Sequence, residues 1–460
     1  MIELDTITIG AGGGAYPGAF RLARAGHKVA MVDTKGVMSG NCLAEGCVPS
    51  KAVREVAAAR RRALRGEQMG LSGTLEVSYA RVLEHKSWVQ RLRYQQHDAE
   101  LASLGDRLQL IKGEARLLDP HTVEVDSGGK LQQYFARSIV VASGSDIFVP
   151  PIPGAADCIT SRDLFALEAT VTTLPKRLIV VGGGYIGLEV AAILHTFGVE
   201  VEVLEMADQI LPGMDPDFAS LLASLLDPEI KVRLGARVER IDSGPDGRVV
   251  SYQTATGPAT ASADQILMAV GRHPVIPAGL VEAGVVVEHG RPLVSSALQT
   301  NLPHIYAAGD VNGRSMLFHS AVRQSLAASN SILTGDRPSD SMDFGAVPTT
   351  IFTFPEAAYV GLLRASAHAL GVEVVEAAYS FEEDSRAQIM AEMEGELRLF
   401  FAPDSLRLLG GWVVGIDAAN LIGEIGTAVA AGLTAHQMAR FPDQHPMASE
   451  GIGKAARRLV

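Results

Sequence analysis

The most direct chemical signal in this sequence of 460 residues is a pair of cysteines, Cys42 and Cys47, separated by four residues in the segment CLAEGCVPSK. With only 3 cysteines in the chain there is no disulfide framework, so two close together point to redox or metal chemistry. A zinc site would need a second pair or a histidine cluster nearby, and neither is present, so no metal is expected. On a regular helix two side chains five positions apart point about 140° away from each other, and joining their sulfurs requires a distorted turn. Gly46 and Pro49 supply residues suited to one. A strained, accessible disulfide has a higher reduction potential than a structural one, as a cycling redox centre requires. The plainer reading is two buried, unpaired thiols. Cys158 stands alone and reads as structural.

Such a pair needs a partner for its electrons, and the elements around it supply two dinucleotide fingerprints. TITIGAGGGAYPGAFRLARAGHKVAMVDT reads as a strand, a glycine-rich turn, a helix ending at Gly26 and a second strand closing on Asp33. Gly10 permits the tight turn and Gly12 lets backbone amides approach a pyrophosphate at the helix N-terminus. Ala15 takes the third glycine position, where close helix–strand packing is needed, and Pro17 falls in the first helical turn. RLIVVGGGYIGLEVAAILHTFGVEVEVLE repeats the unit with Gly182, Gly184 and Gly187 and closes on Glu205; in both units the carboxylate follows the first glycine by 23 residues. One glycine turn is weak evidence of a ligand, whereas two complete units with acidic closers are hard to obtain by chance. A carboxylate at Glu205 accepts from the free ribose hydroxyls of NAD and repels the extra phosphate of NADP.

Further strands are expected in 138–145, 263–271 and 304–311, the last placing Asp310 at a strand end where it could hold ribityl hydroxyls, although an Ala-Gly-Asp turn is more often only a loop. Gly/Pro-rich connections at 150–154 and 335–338 mark candidate boundaries in a chain long enough for about three domains of ~100 to 200 residues. A net charge of -12 without a cluster of basic and aromatic residues argues against nucleic acid. Charged or polar residues and glycines interrupt every apolar run, so no membrane span is expected. The chain opens directly into a strand without an export signal, and a cytoplasmic location is expected.

The segment SGNCLAEGCVPSK resembles the redox-active segment of the pyridine nucleotide-disulfide oxidoreductases, most of all their dihydrolipoamide dehydrogenase branch. The resemblance extends over nearly the whole chain, through both dinucleotide units, MAVGRHP at 268–274, IYAAGD at 305–310, VPTTIFTFPEAAYVG at 347–361 and HPMASE at 445–450. It implies an α/β fold with two Rossmann-like dinucleotide-binding domains, for FAD and NAD, and a C-terminal α+β dimerisation domain. The expected division is 1–149 with 272–343 for FAD, 150–271 for NAD, and 344–460 for the interface. The apolar run 347–360 suits an interface, though a core strand would read the same.

By resemblance Cys47 faces the flavin and Cys42 meets the substrate, while Lys51 and Glu189 form a pair near the flavin's reactive nitrogen; the plain alternative is a surface ion pair. FAD contacts would include Gly10, Gly12, Ala15, Asp33, Lys51, Ala115, Asp310 and Phe318. NAD contacts would include Gly182, Gly184, Tyr185, Gly187, Glu205, Val238 and Gly271, with Tyr185 gating the nicotinamide pocket. His445 and Glu450 lie five residues apart with Pro446 excluding a helix between them, so the histidine can sit on a turn and the carboxylate can start the next helix. The resemblance makes them a proton-transferring dyad that serves the cysteines of a second subunit, hence a homodimer.

Ser50 and Glu205 stand where glutathione reductases carry basic residues, and the absence of a cysteine after Cys158 removes the C-terminal pair of mercuric reductases. The resemblance therefore implies oxidation of dihydrolipoyl groups, carried on a lipoyl protein or a small dithiol, with NAD as acceptor. Phe318, Arg323, Gln324 and Met447 depart from the branch's pattern and bear on the substrate channel. A related disulfide reductase, or a flavin redox sensor or scaffold that binds lipoyl proteins without turnover, is the alternative.

Overall fold

Strands that bury side chains on both faces require helices on both sides and parallel pairing, and two stretches of this chain have that character. The structure, a computed structural model, describes residues 1–73, 75–244 and 247–460. In the first sheet β1 (Ile2–Ile9), β2 (Val29–Asp33), β3 (Leu108–Lys112) and β6 (Leu131–Val141) lie in the order β3-β2-β1-β6, all parallel, and the strand Ile305–Ala307 joins the far edge of β6. β4 (Glu114–Leu117) and β5 (Thr122–Asp126) extend the sheet as an antiparallel meander. A short ladder between β7 (Ser145–Ile147) and Arg272–Pro274 joins the two chain segments that cross between the sheets.

The second sheet repeats the first with β8 (Arg177–Val181), β9 (Glu200–Leu204), β10 (Lys231–Arg233) and the strand Gln265–Met268, again parallel and in the corresponding order. Helix α1 (Tyr16–Arg24) follows β1 as the sequence requires, and Gly26 ends it with φ +100°. Between the sheets run α2 (Gly40–Ala44), α3 (Cys47–Arg65), α4 (Tyr79–Ala102) and α5 (Ser161–Phe165), and α6 (Tyr185–Thr196) occupies in the second unit the place of α1 in the first. Helix α7 (Pro216–Leu225) packs toward the C-terminal part, and α8 (Phe318–Leu333) packs on α1.

The C-terminal part is a five-stranded antiparallel sheet, ordered Thr349–Ile351, Ala357–Gly361, Leu408–Val414, Glu396–Phe401 and Val375–Ser380. Helices Ala418–Ala431 and Glu450–Arg457 cover one face, burying Val360, Tyr379, Leu397, Val413, Ile425 and Ile452 together. Against the other face, Trp412 and Phe400 pack with Phe218 and Leu222 of α7, so this sheet is fastened to the second unit by an aromatic contact. The architecture is the expected one: two Rossmann-like parallel sheets and a C-terminal α+β unit. The strands expected in 138–145, 263–271 and 304–311 are present: the first starts earlier and ends earlier, at Leu131–Val141, and the other two are shorter, at Gln265–Met268 and Ile305–Ala307.

Candidate active site

The two glycine turns are copies of one another. Gly10 and Gly182 both adopt φ +110°, and a Cβ on either would stand 2.1 and 2.5 Å from the carbonyl oxygens of Ala142 and Ala269. Only glycine permits that backbone and that approach. A Cβ on Gly184 would meet nothing within 4 Å, and one on Gly12 nothing nearer than 3.8 Å. Those two positions form open cradles at the wall of a single cavity of ≈ 1820 Å³ that runs along both turns. Gly187 serves packing, since its Cβ would stand 2.0 Å from the Gly182 carbonyl oxygen.

The closing carboxylates take up backbone amides. Asp33 accepts from Lys35 at 2.9 Å, Gly36 at 3.0 Å and Ala11 at 3.4 Å, and Glu205 accepts from Gly183 at 2.6 Å and Ala207 at 2.7 Å. Asp310 also faces the cavity, where burial pushes its carboxyl up against the opposing pull of the Ser145 hydroxyl, which donates to it at 2.6 Å, and of Arg272. Such a group is suited to hydroxyl partners.

Cys42 lies in α2 and Cys47 is the first residue of the 19-residue α3. The break between them falls at Glu45 and Gly46, with φ −156° and −125°. A Cβ on Gly46 would stand 2.9 Å from the Asn41 carbonyl oxygen, so the turn needs the glycine that the spacing predicts. The two side chains lie close enough for their thiols to influence one another. The interaction between them pushes Cys42 up and pulls Cys47 down to about 7, against the effect of burial and with help from Lys51. The N-terminus of α3 adds its partial positive charge at Cys47. Cys158 is elsewhere, its thiol raised by burial.

Lys51, one turn along α3, donates to Glu189 of α6 at 2.6 Å, and its ammonium stands 4.5 Å from the Phe352 ring centre. Glu189 also accepts from the Phe352 amide at 3.0 Å, which ties the pair to the C-terminal part. The pair lines the cavity between the cysteines and the second turn and is not a surface ion pair. Tyr185, at the start of α6, shares a hydrogen bond of 2.7 Å with Tyr359; nothing in the sequence flagged Tyr359.

His445 and Glu450 form the expected dyad, with Nδ1 at 2.9 Å from Oε1. Glu450 begins the last helix and also accepts from the Met447 amide at 3.3 Å. Burial pushes its carboxyl up, but His445, the Met447 amide and Lys454 together hold it below its ordinary value. An ionised carboxylate can only accept, so Nδ1 carries the proton and Nε2 is left as the base. The imidazole is 69% exposed, and neither residue lines the cavity of its own chain.

Of the expected cofactor contacts, Gly10, Gly12, Asp33, Lys51, Asp310, Phe318, Gly182, Gly184, Tyr185, Glu205, Val238 and Gly271 line the cavity. Ala15, Gly187 and Ala115 do not; Ala15 and Ala115 are core residues, the latter packed with Val123 and Val125. Phe318 lies over the first turn, 3.0 Å from where a Cβ on Gly13 would be. Arg323 and Gln324 do not line the cavity. Arg323 pairs with Asp340, while the fully buried Gln324 accepts from the Gly309 amide at 2.8 Å and from Asn312 at 2.7 Å, fixing the turn that presents Asp310. A buried glutamine on a helix carries no sequence signal of this kind.

Residues 4–325 match the family model for pyridine nucleotide-disulphide oxidoreductases, and residues 347–456 match that family's dimerisation domain. The chain belongs to the pyridine nucleotide-disulphide oxidoreductases. Among this family's members, the chain is 31% identical to the dihydrolipoyl dehydrogenase of Bacillus subtilis, over 100% of the chain and 97% of that protein. It is 32% identical to the dihydrolipoyl dehydrogenase of Geobacillus stearothermophilus, over 99% and 96%. Among solved structures, it is similar to the HOCl-induced flavoprotein disulfide reductase RclA of Escherichia coli in its Cu(II) complex, with 25% identity, a TM-score of 0.87 and 100% of both chains covered. LpdA of Mycobacterium tuberculosis superimposes with a TM-score of 0.89 at 25% identity, again over 100% of both chains. Among the described residues no helix of this oxidoreductase is long and apolar enough to cross a membrane.

Proposed function

We propose that this oxidoreductase is an NAD-linked dihydrolipoyl dehydrogenase working as a homodimer. The observation that carries the reading is the Cys42–Cys47 pair, already polarised, in one cavity with both glycine cradles and the Lys51–Glu189 pair. The fit to FAD rests on the first cradle at Gly12, the amide-bound Asp33 and the half-buried Asp310; the fit to NAD rests on the cradle at Gly184 and on Glu205, whose charge opposes a ribose phosphate. FAD bound there supplies two-electron transfer between the cysteine pair and NAD.

The protein's own residues handle the sulfur chemistry. His445 of the partner subunit takes a proton from the substrate dithiol at Nε2, with Glu450 stabilising the imidazolium. The substrate thiolate attacks Cys42 of the oxidised pair; its S–S bond breaks and Cys47 leaves as a thiolate, stabilised by Lys51 and the α3 N-terminus. The second substrate thiol gives up its proton to Cys42 as its sulfur displaces Cys42 from the mixed disulfide, and the first proton stays on the partner's His445 until it passes to solvent. The substrate ends as a cyclic disulfide and the pair as thiol and thiolate, the protonation state favoured in this structure.

A second reading, reduction of a different disulfide by NADH with the same parts, is favoured by the full-length likeness to RclA, a flavoprotein disulfide reductase. One rate comparison decides between them. With dihydrolipoamide and NAD, turnover should exceed that with NADH and glutathione disulfide or simple disulfides, and a lipoylated carrier protein should be a better substrate than free dihydrolipoamide. Absence of dihydrolipoamide turnover in the presence of rapid NADH-dependent disulfide reduction would overturn the first reading in favour of the second.

A further inference from the structure

Glu45 is the one charged residue between the two cysteines, and it forms the turn between α2 and α3. Its side chain is only 6% exposed and is held by a cationic clamp. Arg162 of α5 donates to both carboxylate oxygens, at 3.0 Å each, and Lys35 donates to one of them at 3.0 Å. Burial pushes the Glu45 carboxyl up, but Arg162 and Lys35 outweigh it and hold the group below its ordinary value, so the clamp is fully ionic.

The clamp is itself anchored. Arg162 also donates to Asp146 at 2.7 Å. Helix α5 is capped by Lys86, which donates to the carbonyls of Phe165 and Leu167 and to that of Ala166. Just before α5, Ile159 pairs with Leu267 in the second sheet. From the same helix as Lys86, Gln90 donates to the carbonyls of Leu43 and Ala44 at 3.0 and 2.9 Å, closing the end of α2.

We propose that Arg162 is a positioning residue for the redox pair: by clamping Glu45 it holds the turn that keeps the two sulfurs in register, and so sets how readily the dithiol closes. This rests on the reading of Cys42 and Cys47 as a cycling pair. An S–S bond tolerates only a narrow range of Cα separation and torsion, so a turn free to open lowers the effective concentration of one thiol at the other. The disulfide then becomes easier to reduce.

The test is equilibration of the full-length, flavin-loaded protein with mixtures of glutathione and glutathione disulfide, followed by alkylation and mass measurement. The two thiols lose two electrons and two protons as their S–S bond forms, and glutathione disulfide takes them up as its own S–S bond breaks to give two glutathione molecules. Arg162→Met should disfavour disulfide closure roughly tenfold, a midpoint about 30 mV less negative. Arg162→Lys should fall between, because it returns the charge without the fork. Glu45→Gln should shift the midpoint in the same direction as Arg162→Met, and it decides the matter if Arg162→Met fails to fold. A lower melting temperature with an unmoved midpoint in Arg162→Met, or an unmoved midpoint in Glu45→Gln, overturns the proposal. A wild-type pair that never forms a disulfide at any glutathione ratio sinks instead the redox reading beneath it.

Discussion

The cysteine pair and the His445–Glu450 dyad are placed under opposite conditions. The cysteines lie in a cavity at the head of α3, where the Cys42 side chain, a nearby ammonium and the helix terminus have already moved the Cys47 thiol to about 7. The dyad lies at the surface, with the histidine ring 69% exposed and aligned by a single carboxylate that is 12% exposed. At the cysteines, whose Cys47 is itself open to the cavity, neighbouring groups tune the proton affinity of the reacting atom; at the dyad they tune the supporting carboxylate and leave the reacting imidazole in solvent. A well-aligned but exposed dyad is what one half of a site looks like when the other half belongs to a second copy, and residues 347–456 match a dimerisation domain.

The sharpest way to break that comparison is complementation. Cys42→Ser should abolish dithiol oxidation, and His445→Gln should cost ~10²- to 10⁴-fold, the usual worth of a general base. Mixed after dissociation and reassembly, the two variants should recover about one quarter of the wild-type rate, since half of the dimers are mixed and each holds one intact site. No recovery would place both groups in one chain. Glu450→Gln should have a smaller effect, roughly 10- to 100-fold in kcat, because it weakens one charge-assisted hydrogen bond and leaves the base in place. The smallest effect is read at the thiols. Cys47 should react with iodoacetamide faster as pH rises, with a midpoint at about 7. Cys158 should need pH above the ordinary thiol range. In Lys51→Met the Cys47 midpoint should move upward, and an unmoved midpoint would remove the lysine from the account.

The parts of the site legible in the sequence are those whose chemistry is local. The φ of +110° at Gly10 and Gly182 belongs to a local turn, although the close approach of Ala142 and Ala269 does not; Gly46 is dictated by Asn41 five residues away, and His445 and Glu450 are close in the chain with a proline between. Spacing could therefore place all of them. The illegible parts are contacts between distant segments: Arg162 reaches Glu45 across 117 positions, Tyr359 reaches Tyr185 across 174, and Glu189 joins Lys51 across 138. Only the last was anticipated, and by family resemblance. Arg323 and Gln324 look unusual beside a motif, and the structure gives each a local role: one makes a surface ion pair and the other is a buried brace for the Asp310 turn. Ala115, a position implied by resemblance, has its side chain in the core between strands, so any contact it makes with a cofactor is through its backbone.

Lys86, fully buried against the end of α5, also has a consequence for how the molecule tolerates alkali. Burial, with a smaller push from Arg91, lowers its ammonium to about 8 from 10.5. Between those values the unfolded chain holds a proton there that the folded chain has released. At this residue the balance therefore tilts toward the folded state as pH climbs from about 8 to 10.5. Below pH 8 the native protein keeps a charge in its interior, stabilised by backbone carbonyl dipoles and, among the described residues, by no carboxylate partner. The support beneath the redox turn is thus better suited to mildly basic than to acidic surroundings.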